Sequence, residues 1–124
     1  MNVYFSHSML GYGTKKEQAD KAFILKYFTD HDLIDPSSVN SKNMNLYYKM
    51  IEDCDSLVFT EHLNSIGKGV YCEIQHALKC GTLVFLLRKG LLYSTEHFKL
   101  TIFNTNDWKR HYAKVKVTEE MKGV

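Results

Sequence analysis

Short apolar runs alternate with amphipathic stretches along most of the chain. We interpret each apolar run as a strand, because strands that are buried on both faces are nearly continuous in apolar residues. The predicted strands are NVYFS (2–6), DLIDP (32–36), SLVFT (56–60), TLVFLL (82–87) and KLTIFN (99–104).

Between these runs, apolar residues recur at the spacing of a helix. The predicted helices span residues 14–30, 43–53 and 68–81. Thr14 is expected to cap the first helix, with Glu17 as its capping-box partner. Gly81 is expected to end the third helix, since glycine readily adopts the left-handed conformation after a last turn.

This alternation predicts an α/β fold with right-handed crossovers. We expect a single domain, residues 1–124, built as a doubly wound, flavodoxin- or Rossmann-like parallel sheet of about five strands with helices on both faces. Residues 88–98 are interpreted as a connection and 107–112 as a short helix. Ligands of such sheets bind beyond the carboxyl ends of the strands, so the loops at 6–14, 61–69 and 88–95 are the expected binding edge.

Composition narrows the possible partners. The 124 residues carry 16 Lys+Arg and 14 Asp+Glu, a net charge of +2, so no basic surface indicates binding to a nucleic-acid polymer. No His-x-x-x-His or Cys-x-x-Cys spacing occurs, and no metal site is expected. The three cysteines are expected to be reduced, and no apolar run is long enough for a membrane span, so we expect a cytoplasmic protein without a membrane partner.

Glu73 is the acid that the pattern places closest to the expected binding edge. It lies in the first turns of the third helix, on a face shared with Val70, Ala77 and Cys80. A carboxylate among small and apolar residues is expected to be partly buried, which raises its pKa. The alternative is an acid near a helix amino end, where the macrodipole favours it.

Two further acids and a glycine loop are also candidates. Asp55 begins the third strand, at the opposite end of the sheet, and is interpreted as structural. Glu61 follows that strand at the binding edge, where it is expected either to pair with Glu73 or a ligand hydroxyl or to be a solvated loop acid. Gly11 and Gly13 allow a phosphate or sugar to approach the backbone, or they serve only as loop residues.

Three segments together resemble the nucleoside 2-deoxyribosyltransferase superfamily, which includes the deoxynucleoside monophosphate N-glycosidases. They are the opening VYFSHS, the third strand CDSLVF, and SIGKGVYCEIQHALKCGTLVFLL. The resemblance covers residues 2–87. Its most specific part is a Gly-x-Gly-x-x-x-Glu-Ile-x-x-Ala motif followed by a glycine, here Gly67, Gly69, Glu73, Ile74, Ala77 and Gly81.

The resemblance implies that Glu73 is the catalytic nucleophile. A carboxylate beside the anomeric carbon can stabilise or capture the oxocarbenium character that develops when an N-glycosidic bond breaks. The resemblance implies no cofactor, a nucleoside or nucleotide as substrate, and a homodimer or higher homo-oligomer in which Asn104 or Asn106 completes the neighbouring site. The implied substrate-binding residues are Tyr4, Ser6, His7, Gly11, Gly13, Asn45, Glu61, Ser65, Gly67 and Gly69.

The chain departs from the superfamily at two positions. Relatives carry an aspartate before the third strand, where NMNLYYKM offers Asn43, Asn45 and tyrosines. The loop LNSI carries Asn64 and Ser65, which is similar to the serine-bearing loops of the glycosidase branch. Three hypotheses therefore stand: an enzyme of the N-glycosidic bond, a non-catalytic module that binds a nucleotide or an NAD derivative, and an interaction protein that uses the fold alone.

Overall fold

A mostly parallel five-stranded sheet forms the centre of the computed structural model, which describes residues 1–39, 43–102 and 113–117. Its strands are β1 (Asn2–Ser6), β2 (Asp32–Ile34), β3 (Ser56–Phe59), β5 (Leu83–Arg88) and β6 (Leu91–Ser94), while the short strand β4 (Ser65–Ile66) belongs to a second sheet. The spatial order is β2-β1-β3-β5-β6, and only β6 is antiparallel to its neighbour. The predicted α/β class is therefore confirmed.

Three helices connect the parallel strands, as predicted. They are α1 (Lys15–Tyr27), α2 (Met44–Glu52) and α3 (Lys68–Lys79). The Thr14 hydroxyl accepts a hydrogen bond from the Glu17 amide at 3.1 Å, which confirms Thr14 as the N-cap. The predicted capping box does not form, because the Glu17 carboxylate accepts the Gly13 amide and the Thr14 amide donates to the Gly11 carbonyl. At the end of α3, Gly81 has φ +78° and the Thr82 amide donates to the Ala77 carbonyl, the geometry of a Schellman motif. Among the described residues, no helix is long and apolar enough to cross a membrane.

The apolar core falls into two clusters that use alternate residues of β1. Val3 and Phe5 pack in one cluster with Ile24 of α1. Tyr4 packs in the other cluster, which contains Ile74 of α3. Because successive side chains of a strand point to opposite faces, this alternation directs Tyr4 toward α3 and away from α1.

The segment predicted as a connection contains a strand instead. Arg88 pairs with Leu91, so that Lys89 and Gly90 form a two-residue turn with φ values of 50° and 73°. Positive φ at both central residues is the geometry of the tight hairpin turn that joins antiparallel strands. The prediction of a ligand loop at 88–95 is therefore wrong, because these residues form a hairpin that adds β6 to the sheet. Tyr93 of this hairpin is buried in the core.

The predicted fifth strand belongs to a second sheet. β7 (Phe98–Ile102) pairs antiparallel with β8 (Ala113–Val117), which also pairs with β4 (Ser65–Ile66). Phe98 packs edge-on against Phe59 at 5.3 Å between ring centroids, so that the second sheet shares the core of the first. The assignment of 99–104 to the parallel sheet was wrong. The predicted helix at 107–112, Asn104 and Asn106 lie outside the described residues.

Asp55 lies at the amino end of the parallel strands and has the structural role that the sequence predicts. Its carboxylate accepts a hydrogen bond from the Asn2 amide at 2.9 Å, and its own amide donates to the Asn2 carbonyl at 2.9 Å. These bonds join the starts of β1 and β3, at the end of the sheet opposite the carboxyl edge.

Candidate functional site

Glu73 is held at the carboxyl half of β1 by two hydroxyl donors. The Tyr4 hydroxyl donates to Glu73 Oε2, and the Ser6 hydroxyl donates to Oε1 at 2.7 Å. Tyr4 and Ser6 are two residues apart on β1, so both side chains point to the face that α3 covers. The Glu73 residue is only 7% exposed. Since each carboxylate oxygen has two lone pairs, each keeps one free for a further partner.

Burial and hydrogen bonding act in opposite directions on this carboxylate. Burial raises the pKa of Glu73, the hydrogen bonds from Tyr4 and Ser6 lower it, and burial prevails, so that the pKa lies above the ordinary 4.5. Burial and then the charge of Glu73 raise the pKa of Tyr4, which therefore stays protonated and continues to donate. The sequence prediction of a partly buried acid with a raised pKa agrees with this geometry.

Two more tyrosines, Tyr12 and Tyr47, lie near the Tyr4 hydroxyl that binds Glu73. Burial, followed by the charge of Glu73 and the phenol of Tyr47, raises the pKa of Tyr12 to about 12. Tyr12 follows Gly11 in the loop after β1, so this loop does approach Glu73 through its tyrosine. Tyr47 comes from α2 and donates its hydroxyl to the Val39 carbonyl at 3.1 Å. The surroundings of Glu73 are thus phenolic, with neutral hydroxyl groups from three elements.

A second buried pair, His7 and Glu17, fixes the loop after β1. The His7 ring stacks on Phe5 at 3.8 Å between centroids, its Nδ1 lies 3.2 Å from the Phe5 carbonyl, and its Nε2 lies 2.5 Å from Glu17 Oε2. The two ring nitrogens therefore face the Phe5 carbonyl and the Glu17 carboxylate. Glu17 Oε1 also accepts the Gly13 amide at 2.9 Å, which closes the loop onto α1.

Lys21 extends this pair into a network of four ionisable side chains. Its ammonium contacts Asp35 and lies 3.6 Å from Glu17 Oε1. Burial raises the pKa of Glu17. The hydrogen bonds from His7 and Gly13 and the charge of Lys21 together lower it by more, so the pKa of Glu17 lies below its ordinary value. Donor atoms of His7, Glu17 and Asp35 lie within 4.8 Å of one another, a spacing that suits a metal. Because the Lys21 ammonium already lies between the two carboxylates, this network has its own cation.

A small cavity lies between the loop after β1 and the end of β3. Its volume is about 30 Å³. Its lining residues are His7, Ser8, Gly11, Thr14, Lys16, Glu17, Asp20, Thr60, Glu61 and His62. A drug-sized ligand needs roughly 300 Å³ or more, so this cavity has room for about one water molecule. Glu73 does not line it.

The glycine amides that the sequence offers for a phosphate are already used inside the loop. The Gly11 amide donates to the Ser8 carbonyl at 2.9 Å, and the Gly13 amide donates to Glu17. Gly13 has φ +77°, which favours glycine at this position, whereas a side chain at Gly11 would meet open space. In this conformation the negative charge of Glu17 lies where an anion would meet the amino end of α1.

Glu61 is not a solvated loop acid and the described contacts do not pair it with Glu73, so these two interpretations are wrong, while its contact with a ligand hydroxyl stays a prediction. Its side chain is 8% exposed and accepts two hydrogen bonds from Arg88, at 2.7 and 2.8 Å. Arg88 Nη2 also donates to the Val115 carbonyl at 3.0 Å and so ties the second sheet to β5. The sequence reasoning missed this because it placed Arg88 in a loop, where an arginine is normally solvated.

The remaining predicted site residues lie on separate elements. Asn45 is exposed in the first turn of α2, and its amide donates to the Asn43 side chain at 3.0 Å. The buried Ser65 donates its hydroxyl to the His62 carbonyl at 3.3 Å, within the turn before β4. Gly67 precedes α3, which has no side-chain cap, and Gly69 lies in its first turn. In the described contacts, the hydroxyls of Tyr4 and Ser6 bind the Glu73 carboxylate. No such contact with that carboxylate is seen for Asn45, Ser65, Gly67 or Gly69 among the described residues.

The sequence analysis does not identify three side chains of these two clusters: Tyr12, which lies near Tyr4, and Glu17 and Lys21, which lie beside His7. Glu17 is predicted only as a helix-capping residue, but its carboxylate binds His7, ten residues earlier. His7 and Glu17 meet because helix α1 returns along β1, which the local sequence pattern does not show.

No protein-family model matches this chain, and a search of the curated proteins finds no match either.

Proposed function

We propose that the protein cleaves, or transfers a sugar from, the N-glycosidic bond of a nucleoside or nucleotide, with Glu73 as nucleophile. The observation that supports this most is the buried Glu73 carboxylate, oriented by the Tyr4 and Ser6 hydroxyls near the carboxyl end of β1. A carboxylate that is desolvated and fixed in this way suits attack on, or stabilisation of, an anomeric carbon with oxocarbenium character.

The reaction proceeds in two displacements. One Glu73 oxygen forms a bond to the anomeric carbon while the C–N bond breaks, and its electron pair leaves with the base, which takes a proton from solvent. Water then attacks the same carbon, Glu73 leaves as a carboxylate, and the water's second proton passes to solvent. A second nucleobase in place of water gives transfer instead of hydrolysis. Each oxygen keeps a free lone pair for the attack while one hydroxyl orients it.

The surrounding residues have supporting roles in this proposal. Tyr4 and Ser6 lower the pKa of Glu73 against the effect of burial and so keep a larger fraction ionised. Tyr12 and Tyr47 present phenols that can contact a sugar or base. Because Glu73 is only 7% exposed, the residues that cover it must move to admit a substrate.

The wider expectations rest on the sequence pattern, for the sheet and the location, and on the resemblance to the 2-deoxyribosyltransferase superfamily, for the assembly. In this proposal the sheet is doubly wound, the enzyme uses no cofactor, acts in the cytoplasm, and assembles as a homodimer or larger homo-oligomer. Size-exclusion chromatography with light scattering measures the assembly directly, and a monomer would contradict that part of the proposal.

A second function, binding of a nucleotide or an NAD derivative without turnover, is favoured by one observation. The amino end of α2, where relatives place an acid that handles the base, carries the exposed Asn43 and Asn45. An amide accepts and donates hydrogen bonds but does not supply a proton to a leaving base. If this alternative is correct, a nucleotide or NAD derivative binds to the protein and is not cleaved.

The test is a combined binding and product assay. Nucleosides, deoxynucleoside monophosphates and NAD are incubated with wild type, Glu73→Gln, and Glu96→Gln as a control at an exposed glutamate. We expect one compound class to raise the melting temperature of all three proteins, and free base to form with wild type and Glu96→Gln only. Stabilisation without release in any protein would make this a binding module, and no response to any compound would contradict both functions.

A further inference from the structure

Three lysines lie on the outer face of the second sheet. Lys99 of β7 stands directly opposite Lys116 of β8, and Lys114 lies two residues before Lys116 on the same strand. All three residues are exposed, whereas Phe98 and Val115, which alternate with them, are buried. Because successive side chains of a strand point to opposite faces, the three ammonium groups project from one surface.

This grouping of lysines is unfavourable for the sheet. Directly opposite residues of an antiparallel pair have Cβ atoms about 4.5–5.5 Å apart, and like charges at such a pair are destabilising. The diagonal from Lys99 to Lys114 is about 7–8 Å, so salt screens that repulsion only in part. The three strands of this sheet contain no Asp or Glu, and the ion pairs among the described residues do not include Lys99 or Lys116. The described part of the fold therefore offers this opposed pair no compensating charge.

Protection of a sheet edge accounts for only one of these lysines. An exposed edge strand commonly carries lysine, which discourages pairing with another chain. The order of the second sheet is β4-β8-β7, so Lys99 is on an edge strand, but Lys114 and Lys116 are on the middle strand. A second copy of this chain would bring the same lysines to the edge and be repelled. The charge therefore favours a different chain, one rich in acidic residues.

The two faces of β7 indicate the side-chain pattern that such a chain needs. Lys99 and Thr101 lie on the lysine face, whereas Leu100 is half-buried on the other face and Ile102 beside it is 53% exposed. A strand added beside β7 has the same period of two, so its acids can meet the lysines while its apolar residues cover Leu100 and Ile102. A nucleic acid fits less well, because the described residues of the lysine face include no aromatic side chain on which a base could stack.

We propose that the edge of β7 binds an extended segment of another protein as an added strand, in which Asp or Glu alternates with apolar residues. In this mode of recognition, backbone hydrogen bonds contribute affinity and alternate side chains contribute specificity. The net charge of +2 does not reveal the surface, because Lys99 and Lys116 become neighbours only through the pairing of β7 with β8. The proposal does not depend on the chemistry of Glu73.

The probe is a fluorescent synthetic peptide that alternates Glu with Val over the length of β7, and fluorescence anisotropy measures its binding. The same peptide, N-methylated at two adjacent central residues, keeps every charge but cannot pair along either of its edges. Single-stranded DNA and anionic phospholipid vesicles are the competing polyanions. The protein variants are Lys99→Glu and Lys116→Glu, with Lys26→Glu of α1 as the matched control at an exposed lysine. Circular dichroism confirms that each variant is folded.

We expect the alternating peptide to bind wild type and Lys26→Glu with the same affinity. It should bind Lys99→Glu and Lys116→Glu at least about fivefold more weakly, because each change replaces an attraction with a repulsion. Lys99→Glu should also melt at a higher temperature than wild type, since an opposite pair replaces two like charges.

No binding to wild type, equal binding of the N-methylated peptide, or an equal loss in Lys26→Glu would overturn the proposal. Stronger binding of single-stranded DNA or of the vesicles than of the peptide would also overturn it, because the surface would then recognise a different class of partner. A lower melting temperature of Lys99→Glu would contradict the repulsion between Lys99 and Lys116 on which the proposal rests.

Discussion

Removing the Tyr4 hydroxyl should raise the pKa of Glu73 further. In Tyr4→Phe the ring remains in the core while one of the two hydroxyl donors to the carboxylate is lost. A hydrogen bond to a charged group contributes about 1.5–3 kcal/mol. At about 1.4 kcal/mol per pKa unit, the expected rise is about 1–2 units. The direction follows because this bond lowers the pKa, whereas burial, which raises it, is unchanged.

A titration of the Glu73 carboxyl carbon by ¹³C NMR measures this shift without any substrate. Ser6→Ala removes the other donor and should shift the pKa in the same direction. Tyr93→Phe is the matched control, a buried tyrosine of the same apolar cluster on β6. An unchanged or lower pKa in Tyr4→Phe, or an equal rise in Tyr93→Phe, would show that the Tyr4 hydroxyl does not lower the pKa of Glu73.

The same substitution has a consequence for stability. Because the folded pKa of Glu73 lies above its ordinary 4.5, its contribution to stability is complete at lower pH and is lost as the pH rises through the folded pKa. Raising the folded pKa further enlarges that loss at neutral pH. Tyr4→Phe should therefore be more destabilised relative to wild type at pH 8 than at pH 4, as measured by calorimetry.

Substitutions at four positions test further features of the structure. Glu73→Gln removes the buried ionisable group, so its stability relative to wild type should rise between pH 4 and pH 8, and an unchanged difference would contradict the raised pKa. Glu61→Gln breaks the paired hydrogen bonds with Arg88 and should cost about 1–3 kcal/mol in urea denaturation; no cost would mean the pair is solvated. Gly81→Ala, at φ +78°, should cost about 1 kcal/mol, whereas Gly69→Ala, with open space inside α3, should not destabilise.

Local patterns predicted most of the parallel half of the fold. Continuous apolar runs identified β1, β3 and β5, and Thr14 and Gly81 marked a helix start and a helix end through interactions within a few residues. The position of Glu73 near the binding edge followed from the order of these elements. Its partners Tyr4 and Ser6 lie on β1, where period-two alternation brings both to the side of α3.

The antiparallel part was not predictable in the same way. The turn at Lys89 and Gly90 lacks the Asn-Gly or Asp-Gly pair that usually marks a hairpin. The sequence therefore predicts a connection where the structure has β6. Nothing in the run 99–104 distinguishes a strand of the main sheet from one that pairs with β8. Such pairings depend on contacts between distant residues, and so does the burial of Glu61 by Arg88.

If Glu73 forms a bond to the sugar, peptide mass spectrometry of acid-quenched reactions detects the adduct. Wild type and Glu73→Gln are incubated with the nucleosides and deoxynucleoside monophosphates, quenched within the first turnovers and digested. We expect a glycosyl adduct on the peptide that contains Glu73, together with release of free base, in wild type alone. Base release at an undiminished rate from Glu73→Gln, or an adduct on a different residue, would contradict this role of Glu73.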